Sequence, residues 1–257
     1  MSKDFSQGDA PIDLQSTFWN RWNADHRELE RGEVSVRQAE VVTGWLDAIG
    51  RRDLKILEVG CGSGWFTPDL ARYGEVTATD LSDEVLSRAA KRWPEVRFVP
   101  GDFMALDLGE RTFDVVVTLE VLSHVFDQKG FIRKLSSHLR PGGLLMMATQ
   151  NRYVLEKHNA VPAPEPGQLR RWVYKEELAE MLKPEFEVRE QFTVSPIARV
   201  GYMRLVNSWK LNAPIRFVFG NRVERLKERL GLGWTLMSLS RALQWLMGWL
   251  PIAVGCA

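Results

Sequence analysis

From Leu54 to Asn151 short apolar runs alternate with amphipathic stretches, and no other feature restricts the fold as tightly. "LKILEVG" predicts a buried strand, "FTPDLARYG" a helix stopped by glycine, and "EVTATD" a second strand. "SDEVLSRAAKRWP" predicts a helix with Ser82 as N-cap and a stop at Pro94. "VRFVPGD" and "FDVVVTLEV" predict two further strands, "QKGFIRKLSSHLRPGG" a helix broken at Pro141, and "LLMMATQN" another strand. Strands this short and this apolar, separated by helices, imply βαβ crossovers and a mainly parallel sheet covered on both faces.

The flanks read differently. Ser16 to Ile49 has helical periodicity, with Trp19 and Trp22 three apart, Val42, Trp45, Leu46 and Ile49 on one stripe, and Gly50 ending the segment. After Asn151 the rhythm fails, and the prolines of "EKHNAVPAPEPGQLRRW" predict a loop or insertion. "YKEELAEMLKP" then predicts a helix, "FEVREQFTV" a strand, and "GYMRLVNS" a last strand pairing antiparallel at the sheet edge. From Pro214 the pattern is helical again. Three parts are therefore expected: a helical lid over 1–50, a core domain over 51–206 with an insertion at about 151–174, and a helical extension over 207–257.

Composition excludes some classes of function. The 257 residues carry a formal net charge of +1, so no overall field draws the chain onto nucleic acid. The two cysteines, Cys61 and Cys256, make neither a disulfide framework nor a metal cluster. The first twenty residues hold no apolar core long enough for a secretory signal, so the expected location is the cytoplasm.

Function concentrates in "LEVGCGSGWF", where Gly60, Gly62 and Gly64 stand at alternate positions after the first strand. In an open parallel sheet, ligands bind outside the carboxyl ends of the strands, where strand order reverses. Glycines there let a ligand lie on bare backbone, and a following helix N-terminus favours an anionic group. A dinucleotide fingerprint requires G-x-G-x-x-G, but the third position falls on Trp65 or Thr67. What stands here is E-x-G-x-G-x-G, Glu58 to Gly64.

That loop resembles motif I of the class I S-adenosylmethionine-dependent methyltransferases, and the resemblance continues in order over roughly residues 54–150. It implies a Rossmann-like α/β fold with a mainly parallel seven-stranded sheet, and S-adenosyl-L-methionine as cofactor, with S-adenosyl-L-homocysteine as product and no metal. Glu58, Gly60, Cys61, Gly62 and Gly64 would then form the cofactor loop. Asp80, in "TATDLS" beside Leu81, would accept hydrogen bonds from the ribose hydroxyls. Asp102 and Phe103 of "VPGDFMAL" would meet the adenine, the acid at its amino group and the ring on its face. Leu119 and Glu120 of "FDVVVTLEVLSHV" would flank the cofactor, and "LRPGGLLMMAT" matches the turn into strand five.

"FWNRWNADHRELERGEVSVRQAEVVTGWL" resembles more narrowly the stretch before motif I in ubiquinone-biosynthesis-type O-methyltransferases, as do "LEVLSHV" and "ATQNR". It implies a lid in which Trp19 and Trp22 wall the pocket and Arg37 pairs with the methionine carboxylate. A general base helps when the acceptor is a hydroxyl. His124 is the candidate, because it follows strand four and has an unperturbed pKa of about 6.5. His158, in the proline-rich insertion, is a second candidate base and acceptor contact, and Gln150, Asn151, Tyr202 and Arg204 are further candidate acceptor contacts. His26 and His138 read as helix-surface positions.

The expected activity is an enzyme of the EC 2.1.1 type that methylates a small molecule, at a hydroxyl first and at an amine as the nearest rival. A glycan or lipid-linked acceptor and a non-catalytic cofactor-binding protein are the remaining alternatives. "WTLMSLSRALQWLMGWLPIAV" carries a polar stripe at helical spacing. The stripe predicts a helix lying flat on the domain, on a second copy in a homodimer, or peripherally on a membrane, rather than one spanning it.

Overall fold

Five strands, β1 (Leu54–Val59), β2 (Gly74–Asp80), β3 (Arg97–Pro100), β4 (Phe113–Leu119) and β5 (Leu139–Ala148), pair in parallel in the order β3-β2-β1-β4-β5. The computed structural model from which this is drawn describes residues 10–26, 32–109, 113–158, 161–194 and 254–256. Almost all of them fall in one unit, Met1–Gln191 with Ile252–Ala257. Strand order reverses at β1, which has β2 on one side and β4 on the other. The carboxyl ends of all five strands therefore open on one edge of the sheet.

The parallel part is five of the sheet's seven strands. β6 (Phe186–Val188) and β7 (Val254–Cys256) complete the sheet as three-residue pieces, β7 antiparallel to both β5 and β6. Among the described residues, β7 lies between β5 and the edge strand β6. "GYMRLVNS" is the stretch expected to pair antiparallel at the edge. That stretch, with Tyr202 and Arg204, lies outside the described residues, as does the tail from Pro214 through residue 253.

Alternation along the strands builds two cores, one on each face. Leu57, Val59, Val116 and Leu145 pack with Phe131, Ile132 and Leu135 of α5 (Gln128–His138). Ile56, Ala78, Val115, Val117 and Met146 pack on the other face with Val42 and Leu46 of α2 (Glu33–Ile49), with Phe66, and with Leu70 of α3 (Thr67–Ala71). The α2 stripe ends where Gly50 takes φ 71° and its N–H donates to the Asp47 carbonyl. Between β2 and β3, α4 (Asp83–Arg92) buries Val85, Leu86 and Ala89.

Three local expectations are corrected. α5 ends at His138, ahead of Pro141, because the chain enters β5 directly at Leu139. Pairing then jumps from Phe113–Leu139 to Val115–Leu144, and the bulge absorbs the missing proline donor. His138 is a core residue, 5% exposed and packed near Phe103 and Phe113, because the helix turns inward there. The expected loop opens with a helix, α6 (Arg152–His158), and of its described residues 161–172 lack regular structure. α7 (Lys175–Leu182) follows, its first turn closed by the Tyr174 N–H donating to Glu177 at 2.9 Å. Before α2, α1 (Ile12–His26) buries Gln15, Phe18 and Asn23. Among the described residues no helix is long and apolar enough to cross a membrane.

Candidate active site

At the switch point the loop after β1 turns on three glycines with φ of 79°, 56° and 70° at Gly60, Gly62 and Gly64. Left-handed backbone of this kind disfavours any side chain. Space forbids one as well, since a Cβ on Gly60 would stand 2.0 Å from Val121 Cγ2 and one on Gly62 3.1 Å from Asn23 Oδ1. The loop is thus pressed between the exit of β4 and helix α1. Glu58, 4% exposed, accepts from the Thr67 hydroxyl and braces the loop from behind. Burial, reinforced by the negative charge of Asp80, raises its pKa to about 7 against the Thr67 hydrogen bond. Cys61 is 1% exposed, and burial first, then Glu58 and Asp80, push its thiol well above the ordinary range. It fills space and is no nucleophile.

Asp80, at the end of β2, turns both carboxylate oxygens inward. One accepts from the Gly62 N–H at 2.7 Å, and the other from the Ser82 N–H at 2.8 Å and the Ser82 hydroxyl. Ser82 occupies the N-cap position of α4 without capping it, because its hydroxyl is committed to Asp80. The same hydroxyl accepts from Asn23 Nδ2 at 2.6 Å. α1 holds this turn at two further points: Ser16 donates to the Leu81 carbonyl at 3.1 Å and Asn20 to Asp83 at 2.8 Å. α1 is therefore pinned to the β2 exit by Ser16, Asn20 and Asn23.

At the β3 exit, Asp102 accepts from the Met104 N–H at 2.9 Å and so shapes its own turn. The Phe103 ring is 7% exposed and packs edge-on to Phe131 at 5.5 Å, with Lys134 over its face. The ring belongs to the first core cluster, directly after the acid that the resemblance sets at the adenine. At the β4 exit, Leu119 packs against the second core, and Glu120 holds a positive φ of 64°, the one such non-glycine among the described residues. Strain of this kind in a non-glycine concentrates at functional positions. Gln38 of α2 reaches Glu120 and donates to its carboxylate. Arg37, next to it, is half-buried and makes no ion pair with a described carboxylate.

His124 ends the 3-10 turn Leu122–His124 that follows β4. Its Nδ1 lies 2.7 Å from the Leu169 carbonyl, which can only accept. Nδ1 therefore carries the hydrogen, and Nε2 is left with a lone pair. The Trp19 ring stands edge-on to the imidazole at 4.6 Å. Burial is the main reason the His124 pKa is lowered, to about 4; Arg170 acts in the same direction and the Leu169 bond opposes it. The unperturbed value of about 6.5 does not hold here.

The two α1 tryptophans meet protein groups: Trp19 meets His124, while Trp22 stacks on His26 at 5.3 Å. Gln150 accepts from the Trp172 indole at 2.6 Å, and Asn151 accepts from the Tyr153 N–H at 3.0 Å as α6 begins. His158 closes that helix, and its side chain lies outside the described ones. Asn23, Gln38 and the Leu169 carbonyl escaped the sequence reading, because each acts through a partner remote in the chain.

These residues fit S-adenosylmethionine. A bare left-handed loop lies at the switch point, and an acid stands at the β2 exit with about four acceptor positions, three of them used. Among the described residues no cluster of His, Cys, Asp and Glu could hold a metal ion. Residues 57–147 match the family model described as a methyltransferase domain. A ubiquinone biosynthesis O-methyltransferase from Caulobacter vibrioides is 33% identical over 169 residues, which are 61% of this chain and 66% of that one. Another, from a second Caulobacter strain, is 33% identical over 173 residues, 62% of this chain and 68% of that one. The matched region thus spans about two thirds of those relatives' length. In fold, the chain resembles the N-methyltransferase NodS from Bradyrhizobium japonicum, solved with S-adenosyl-L-homocysteine. The TM-score is 0.55 at 22% identity, covering 71% of this chain and 93% of that one. A protein from Pyrococcus horikoshii gives a TM-score of 0.57 at 20% identity, covering 69% and 93%. By motif order, loop geometry and these likenesses, the chain belongs to the class I S-adenosylmethionine-dependent methyltransferases.

Proposed function

We propose that the chain transfers a methyl group from S-adenosylmethionine to a hydroxyl oxygen of a small molecule, with His124 as general base. The observation that carries this reading is the His124–Leu169 hydrogen bond, which leaves Nε2 as the proton-accepting atom. The cofactor supplies an activated methyl on a sulfonium, so the chain's own work is alignment, exclusion of water and removal of one proton. Gly60, Gly62 and Gly64 would carry the methionine half on bare backbone, Asp80 the ribose, Asp102 the adenine amino group and Arg37 the carboxylate. Trp19 would close the site over the imidazole.

A base with pKa about 4 does not ionise an alcohol beforehand. It accepts the proton as the new C–O bond forms, when the oxygen becomes an oxonium far more acidic than an imidazolium. An amine acceptor fits less well, because its ammonium must lose a proton before transfer and His124 is too weak to take it. The relatives named for O-methylation agree in direction. Incubation with isotope-labelled cofactor and a panel of small hydroxylated and amino compounds tests the activity by mass gain. His124→Ala should lower kcat about 10²–10⁴-fold with cofactor affinity intact. Full activity of that variant across the pH range would refute the base role.

A further inference from the structure

The segment from Leu169 to Trp172 has no regular structure, yet with Val173, which bridges to Asn151, it is tied to the exits of β4 and β5 at every residue except Arg170. The Leu169 carbonyl accepts from His124, and the Arg171 N–H donates to the Ser123 carbonyl at 2.7 Å. The Arg171 guanidinium donates to the Phe126 carbonyl and lies over the Phe126 ring at 5.2 Å. Trp172 donates to Gln150, and the Arg152 N–H donates to the Val173 carbonyl at 2.9 Å. One side chain bridges the two sides of this seam. Gln128, at the start of α5, has its amide nitrogen 2.9 Å from the Leu122 carbonyl and 2.7 Å from the Arg171 carbonyl. Leu122 opens the turn that His124 ends, and Arg171 lies two residues beyond Leu169.

We propose that Gln128 is a positioning residue: by donating to both carbonyls it clamps the 169–173 strap onto the 3-10 turn, and so keeps the Leu169 carbonyl on His124 Nδ1 and Nε2 free to accept. Two donors on one planar amide fit two carbonyls at a fixed separation, which a hydroxyl or a carboxylate cannot do. The groups around the imidazole are few. The strap brings the cation Arg170, whose charge opposes protonation of the ring, and Arg171, turned to Phe126. α1 brings uncharged Trp19, and the turn brings Leu122 and Ser123. A loosened strap would admit water and carry Arg170 away, and both raise the ring's titration; loss of the Leu169 bond lowers it but is the smaller effect beside burial, so the midpoint would move up toward that of a free histidine.

The inference rests on His124 as base, and its test separates the two ideas. Nitrogen-15 NMR of labelled histidine reads tautomer and titration in the full chain without turnover. In the native protein His124 should hold its hydrogen on Nδ1. Finding it on Nε2 overturns the strap's role with no variant required. Gln128→Met keeps length and removes both donors: the His124 midpoint should rise toward 6.5 and kcat fall about tenfold or more, with KM for the cofactor within about twofold. Gln128→Lys, which restores a donor, should recover most of the loss. An unchanged tautomer and midpoint in Gln128→Met overturns the proposal. Full turnover by His124→Ala overturns the base reading and leaves the ring measurements to judge the strap.

Discussion

Glu58 and His124 tilt the stability of this chain with pH in opposite directions, and removing one should unmask the other. A glutamate in the unfolded chain loses its proton near 4.5, whereas folded Glu58 keeps its own to about 7. The folded state binds more protons in that window, so stability falls as pH rises through it. A histidine in the unfolded chain gains its proton near 6.5, whereas folded His124 resists until about 4. The unfolded state binds more protons there, so stability falls as pH drops from 6.5 toward 4. Each gap is worth about 3 kcal/mol in total, less for His124, whose ring keeps some solvent contact. Each slope is about 1.4 kcal/mol per pH unit, and the two nearly cancel between 4.5 and 6.5. Glu58→Gln mimics the protonated acid and keeps an acceptor for Thr67. Its stability relative to the native chain should climb by about 1.4 kcal/mol per unit across that range. His124→Ala should fall by a similar amount over the same range. Urea midpoints at half-unit steps, with m held constant, measure both. A Glu58→Gln difference that stays flat with pH would refute the argument that Glu58 is folded as the neutral acid.

Two further perturbations probe the site. Gly60→Ala should cost about 2–5 kcal/mol in urea unfolding, about 1–2 from left-handed backbone and the rest from the clash with Val121. Adding Val121→Ala should recover the steric part, and strict additivity of the two changes would show that they do not meet. Asp80→Ala should weaken S-adenosyl-L-homocysteine binding about tenfold to a hundredfold by calorimetry, since charged hydrogen bonds contribute about 1.5–3 kcal/mol. Unchanged affinity would remove Asp80 from the cofactor site.

The elements around the site were legible wherever a local pattern decides them. β1, β2 and β4 are buried on both faces, and their apolar runs could be nothing else in a chain of this rhythm. The acids and glycines at their carboxyl ends follow by position alone. Short-range energetics misled where a turn intervened. Ser82 has the residue type and place of a helix cap, but Asp80 two residues earlier is the better acceptor for its hydroxyl. His138 has helix-surface spacing, but it is the last residue of α5, and the inward turn to Leu139 buries it.

What stayed hidden is the choice of partner across long stretches of chain. Asn23 finds Ser82 over 59 residues, Gln38 finds Glu120 over 82, and His124 finds Leu169 over 45. None of these side chains has a period or a motif, and each became decisive only once the sheet had brought strand exits, lid and strap to one edge. The consequence for His124 is chemical. Reading "LEVLSHV" alone gives an imidazole with ordinary basicity, whereas the folded chain gives one whose tautomer is fixed by a backbone carbonyl and whose proton affinity is reduced by burial. A free histidine would be partly protonated near neutrality and partly lost as a base. A buried one with pKa about 4 stays neutral throughout that range and exchanges driving force for constant readiness. That exchange suits a reaction whose proton becomes strongly acidic only as the methyl group arrives. On the proposed reading of His124 as base, it is the reason the carbonyl of Leu169, which no local pattern marks, would belong to the chemistry as much as the histidine does.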